Sequence, residues 1–243
     1  MGELRFQNEP LTSGMLLGLD EDMELLWNHA TGSEQGAAVE ELMAFVGIGF
    51  GAGLRGEEVT LTSLKGMIQF WEETMNDKDD PYVIVTLHGR FKGETGVCWH
   101  CLPICDKNRS GIPFRKWIGR LMHTRVVREG RSGGWLFTRP NGTRARMSDY
   151  NDEFVECIYA LHENKPHLFS KISLLHMFAL RRSPRRGATL ETTNRVSDTV
   201  VRLINRWRKK EGAKGAEPGL TKQQTYTHAK NTLPLLKLYS KAM

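Results

Sequence analysis

Arg182-Ser-Pro-Arg-Arg-Gly-Ala-Thr189 is the stretch on which the reading of this chain turns. Ser183 followed by Pro184 is the signature of a helix start, and the pattern predicts a helix through about Glu191. Arg182 and Arg185 then stand at a helix N-terminus, where free backbone N–H groups and the positive end of the macrodipole already favour an anion. Planar guanidinium groups suit phosphate oxygens. Trp207 follows 22 positions after Arg185, behind Asn205 and Arg206, and Tyr226 stands 19 positions further on in Tyr-Thr-His. Upstream, Ala52-Gly-Leu-Arg-Gly-Glu-Glu58 sets Arg55 just past a glycine series.

Around these residues the apolar periodicity predicts a largely helical chain. Ser33 can cap a helix whose Val39, Leu42, Met43 and Val46 form one stripe, and which runs into Gly47, Gly49, Gly51 and Gly53. There the glycines let the chain turn or pack closely. A short apolar run spans Leu64 to Phe70. Tyr82-Val-Ile-Val-Thr-Leu87 and Gly96-Val-Cys-Trp-His-Cys-Leu102 are β-rich runs joined by a polar turn that holds Arg90 and Lys92, so a small antiparallel sheet is expected. Phe114, Trp117, Ile118 and Leu121 repeat at helical spacing behind Pro113, which suits a first helical position. Ser148 is expected to cap a helix carrying Tyr150, Phe154, Ile158 and Leu161, and Ser197 or Asp198 one carrying Val200, Val201 and Ile204. Residues 208–221 read as a Lys/Gly-rich loop, followed by a helix near Gln223 to Lys230 and an apolar tail from Leu233 to Tyr239. The expected fold is mostly α with a small antiparallel β-sheet, in one domain.

The 243 residues include 34 Lys+Arg and 28 Asp+Glu, a formal charge of +6, with an ordinary hydrophobic share of 40%. No window is apolar enough for a membrane span or a secretory signal, so the sequence alone reads as an intracellular protein. Charge is distributed unevenly. Residues 1–60 carry 11 acids against Arg5 and Arg55, whereas residues 181–243 carry 15 Lys+Arg against Glu191, Asp198, Glu211 and Glu217. A polyanion contacted through the C-terminal quarter is one reading of this asymmetry, and a solvated helical face is the other.

Taken in order, Gly-Leu-Arg55-x-x-Glu58, Lys92 in a turn between strands, Arg182-x-x-Arg185-Arg-Gly-Ala, Trp207 and Tyr226 resemble the catalytic domain of the tyrosine recombinases, the phage integrase family, in its eukaryotic or mobile-element form. The resemblance covers roughly residues 10 to 230. It implies a phosphotyrosine recombinase-like domain over residues 10–243, a short leader at 1–9, and no preceding core-binding domain. It further implies DNA cleavage and rejoining through a 3′-phosphotyrosine intermediate, for DNA recombination or integration, with neither metal nor other cofactor. Tyr226 would be the nucleophile, Arg55 and Arg185 the phosphate clamp and Lys92 the general acid. Arg182 and Trp207 would make further phosphate contacts, and Glu58 would orient Arg55. Arg181, Arg186, Arg206, Arg208, Lys209 and Lys210 would contact double-stranded DNA. A tetrameric synapse joined through the C-terminal tail, and a nuclear location in a eukaryote, complete what the resemblance implies.

Arginine stands at position 182, where the family's second motif has histidine, and arginine does not exchange a proton near neutral pH. A DNA-binding module of the same fold without recombinase activity is therefore the alternative. Arg90 competes with Lys92 for the turn cation, and Tyr239 with Tyr226 for the nucleophile, although an apolar tail favours packing for Tyr239. The tail can dock on its own core or on a neighbouring protomer. Cys98-Trp-His-Cys101 and Cys105 have part of a zinc spacing. Adjacent strand residues point to opposite faces, however, so His100 and Cys101 do not converge and no metal site is expected.

Overall fold

The computed structural model describes residues 8–75, 81–89, 97–106, 108–171, 173–193, 195–197, 200–201 and 229–243. Helix α1 (Ser13–Ala30) opens on Thr12, whose Oγ1 accepts from the Met15 N–H. It has no counterpart in the sequence reading, because Asp20, Glu21, Asp22 and Glu24 interrupt its apolar stripe of Met15, Leu16, Leu19 and Met23. Its acids face partners on later elements. Glu24 takes two bonds of 2.8 Å from Arg120, and Asp20 accepts from the Trp117 indole at 2.5 Å.

Helix α2 (Glu34–Gly51) is capped by Ser33 as expected, with Ser33 Oγ accepting from Gly36 N–H. From Leu42 to Gly51 every residue is buried, so this helix is the central strut of the core, with α1, α5, α6 and α7 packed around it. Three of the four expected turn glycines are helical instead. Burial on all sides leaves little room for side chains, and the helix continues through Gly51. It ends where Gly53 takes a φ of +60°. The Leu54 N–H reaches the Gly49 carbonyl at 2.8 Å and the Gly53 N–H that of Phe50 at 3.0 Å, the paired bonds of a Schellman stop. Arg55 is the next residue and caps the short α3 (Gly56–Val59).

The apolar run after it is the helix α4 (Leu64–Met75). Strands β1 (Tyr82–Gly89) and β2 (Cys98–Cys105) form the antiparallel pair that the sequence predicts, in a register that sets Tyr82 opposite Cys105 and Gly89 opposite Cys98. Val83, Val85, Leu87, His100, Leu102 and Ile104 are all buried and lie on one face of this register. His88, Trp99 and Cys101 lie on the other, and the exposed Trp99 stacks on His88 at 4.2 Å. The register thus separates His100 from its neighbouring cysteine.

Helix α5 (Phe114–His123) buries Phe114, Trp117, Ile118 and Leu121, with Pro113 at the cap rather than in the first turn, and passes into a π turn at Thr124–Arg128. Helix α6 (Ser148–Asn164) buries the expected Tyr150, Phe154, Ile158 and Leu161. Ser148 is its first residue and not its cap. Met147 holds the cap position without a side-chain cap bond, and Asp149 accepts from the N–H of Arg146, just before the helix, at 2.9 Å.

Helix α7 (Ser183–Thr192) also begins one residue off the expected cap. Arg182 occupies the cap position, and Ser183 Oγ turns back to accept from the Ala179 N–H. Val200 and Val201 are helical and buried. The apolar tail forms helix α8 (Ala229–Ala242), whose Leu236 and Tyr239 are buried with Met243 just beyond it. It packs on β2 of its own chain, with Ser240 Oγ accepting from the Cys105 N–H at 2.7 Å and the Lys241 carbonyl from the Arg109 N–H at 3.0 Å. Within the single chain the tail takes the first of the two dockings open to it, on its own core. Among the described residues no helix is long and apolar enough to cross a membrane.

Candidate functional site

The Schellman stop throws the chain sharply out of α2, and Arg55 leaves it in an extended conformation with φ −79° and ψ 152°. Glu58, three residues on, folds back on it. Its Oε2 accepts from the Arg55 backbone N–H at 2.9 Å, and its Oε1 from the Arg55 guanidinium at 3.0 Å. The same carboxylate also meets Arg185 from α7, with Arg185 Nη1 to Glu58 Oε2 at 3.4 Å. Two arginines separated by 130 positions therefore share one buried carboxylate.

Burial distinguishes their roles. The side chains of Glu58 and Arg185 are each only 7% exposed, while that of Arg55 is 36% exposed. Glu58 offsets one guanidinium charge and fixes the direction of both, leaving the pair with one net positive charge and Arg55 open to solvent. Holding cations in place before an anion arrives removes the cost of gathering them afterwards, and a carboxylate brace of this kind does so.

Backbone contacts lock α3 to the start of α7. The Gly56 N–H reaches the Arg181 carbonyl at 3.4 Å, and Asn151 Oδ1 on α6 accepts from the Leu180 N–H at 3.1 Å. Gly56 lies against Met147 and the Leu180 carbonyl, where a Cβ would not fit. The N-terminal ends of α6 and α7 therefore both meet the Arg55 segment, and their positive dipole ends add to its cations. Arg181 and Arg182 are exposed there and Arg186 is half-buried.

Arg55, Glu58, Arg181, Arg182, Arg185 and Arg186 are thus brought to one end of α7. Lys92, Trp207 and Tyr226, with Arg206, Arg208, Lys209 and Lys210, lie outside the described residues, as does Arg90. Tyr239 is buried in α8 with 1% of its surface exposed, a packing position. His176 is exposed on the turn Leu175–Met177. Among the described residues no group of three His, Cys, Asp or Glu side chains is placed to hold a metal ion.

Sequence reasoning missed the cations of residues 139–146. Arg146 is adjacent in the chain to Met147, which touches Gly56 and so brings this segment beside Arg55. The signal was available, since residues 130–148 contain four arginines and no carboxylate. Asp149, just beyond, is gripped by Arg139 through bonds of 2.7 and 2.8 Å, which hold its carboxyl down at about 2.

No protein-family model matches the chain, and no curated protein matches it. Among solved structures, the chain is similar to the Tn1549 transposon integrase in complex with circular intermediate DNA, at 16% identity and a TM-score of 0.39, over 83% of this chain and 58% of that one. It is similar to a variant of the same integrase in complex with transposon right end DNA at 14% identity and a TM-score of 0.39, over 92% of this chain and 66% of that one. A further variant with circular intermediate DNA gives 15% identity and a TM-score of 0.42, over 97% of this chain and 68% of that one. The chain spans less than two thirds of the first of these structures.

Proposed function

We propose that this protein binds double-stranded DNA and cuts and rejoins it through a 3′-phosphotyrosine intermediate, as a site-specific recombinase or integrase of the tyrosine class. The observation that carries the proposal is the convergence of Arg55 and Arg185 on the buried carboxylate of Glu58. These are the two arginines and the acid that the ordered motifs of the sequence single out, and they come from segments distant in the chain.

In the proposed reaction the Tyr226 hydroxyl gives up its proton to solvent as its oxygen attacks the phosphorus. The bond to the 5′ oxygen breaks, and that oxygen takes a proton from Lys92 to leave as a hydroxyl. Negative charge builds on the non-bridging oxygens, where Arg55 and Arg185 form the clamp and Arg182 and Trp207 add hydrogen bonds. Attack of a 5′-hydroxyl from another end reverses the step and restores the phosphodiester, so neither ATP nor a metal enters the balance. Exchange between two duplexes requires several copies, and a tetramer on DNA is the assembly proposed, over a catalytic domain of residues 10–243.

A nicked suicide duplex tests this directly. A covalent protein–DNA adduct is expected, lost in Tyr226→Phe and kept in Tyr239→Phe. Absence of an adduct on DNA taken from the ends of the element that encodes the protein would overturn the reading. Arg182 favours a second reading, because an exposed guanidinium at this position binds phosphate but does not relay a proton. On that reading the protein holds DNA without cutting it, and its affinity is unchanged in Tyr226→Phe.

A further inference from the structure

Residues 130–148 form an ordered loop beside the Arg55 segment, and its arginines divide into two kinds. Arg131 and Arg139 hold the loop together. Arg131 donates to Thr138 Oγ1 at 3.0 Å and to the Trp135 carbonyl, and Arg139 clamps Asp149. Arg144 and Arg146 are exposed, and neither forms a salt bridge among the described residues. The Arg144 guanidinium lies over the Trp135 ring at 5.4 Å.

The loop is tied to the chain just after α3. Leu136 N–H bonds to the Thr62 carbonyl at 2.9 Å, Leu64 N–H bonds to that of Gly134 at 2.9 Å, and Ser63 bridges Trp135. These bonds bring Lys65, exposed at the start of α4, alongside Gly133. At the other end of the loop, Met147 packs on Gly56 beside Arg55. Three solvated cations thus stand on or beside one braced loop, which carries Trp135 under Arg144 and ends next to the candidate site. Clustered like charges repel one another, and a polyanion with regularly spaced charges relieves that repulsion.

We infer that Lys65, Arg144 and Arg146, on and beside the loop that carries Trp135, form a second phosphate-contacting surface for duplex DNA, continuing the path that begins at Arg55. This surface rests on the DNA reading proposed above, and it lies on a different part of the chain from the cations of residues 181–210. The loop backbone is already braced, and its exposed guanidinium groups contact the backbone of flanking DNA without reading its sequence.

The test measures equilibrium binding of the full chain to a duplex across a salt series by fluorescence anisotropy. The proteins are the unaltered protein, the triple variant Lys65→Gln/Arg144→Gln/Arg146→Gln, its three single variants, and Lys171→Gln as an exposed control. For the unaltered protein, log affinity falls linearly with log salt. Each lost phosphate contact lowers the steepness of that line by about 0.9, so the triple variant should lose roughly 2 to 3 in slope and each single variant about 1. Lys171→Gln should superimpose on the unaltered protein. Among the described residues none of the three side chains makes a hydrogen bond, so melting temperatures should match, and the single variants carry the test if the triple variant does not fold. Steep salt dependence that is the same in all variants overturns this surface and leaves the DNA reading standing. No binding by the unaltered protein overturns the DNA reading and the surface with it.

Discussion

Glu58 is the residue on which the site balances. It sits three positions from Arg55, within reach of any helix start, but its second partner comes from α7 and closes the arrangement. Removing one member of a buried ion pair leaves the other charged and unsolvated, which costs about 3–5 kcal/mol. Glu58→Ala should therefore destabilise the fold by an amount in that range in urea denaturation. Arg55→Ala should cost much less, because its side chain is already in contact with water and Arg185 keeps the carboxylate paired. Equal losses from the two substitutions would contradict the assigned roles. Arg55, Glu58 and Arg185 were legible in the sequence as separate motif positions. The sharing of one carboxylate was not, because nothing local links residues 58 and 185.

At the scale of elements, the chain is stitched by polar contacts that sequence periodicity does not report. Helix α1 is held to α5 by Glu24 and Arg120, whose guanidinium also lies 3.8 Å from the centre of the Trp27 ring and 4.6 Å from that of Trp117. The hydrogen bond from Arg120 holds the Glu24 carboxyl at about 2, well below its ordinary 4.5, against the opposing effect of burial. A carboxyl lowered in the folded state contributes stability that is present above its unfolded value and lost as pH falls through its folded value. The stability difference between the unaltered protein and Glu24→Gln should therefore be constant above about pH 4.5 and shrink as pH approaches 2. Chemical denaturation at a series of pH values measures this, and a difference that grows on acidification would refute it. The helix starts teach a related lesson. Ser33 caps α2 as its sequence predicts, yet Met147 and Arg182 occupy the cap positions of α6 and α7 without a side-chain cap bond, since which residue lands at the helix start depends on how the preceding chain enters.

For the whole molecule, the decisive arrangement is the meeting of the acidic first quarter with the basic remainder. Many acids of residues 1–60 turn inward: Glu40 bonds Trp27 and Thr124, Glu41 pairs with Arg125 and receives the Tyr150 hydroxyl, and Glu58 braces the site. The exposed cations of residues 65, 144, 146, 181 and 182 are left to face solvent. Docking of α8 on β2 of the same chain has its own consequence. Leu236→Ala opens a cavity and should cost about 2–5 kcal/mol. The melting temperature of the free protein, altered or not, should be independent of protein concentration, because an intramolecular contact involves no association. A melting temperature that rises with concentration would mean that the tail is exchanged between copies. By itself the sequence determined the helical character, the antiparallel strand pair, and the residue types suited to phosphate, because these follow from spacing along a few turns or strand positions. Only the tertiary structure decided that Arg55 and Arg185 share Glu58, which strand the tail packs on within the chain, and that the loop of Arg144 and Arg146 ends beside Arg55. Those depend on which distant surfaces bury together, and burial is a property of the whole chain.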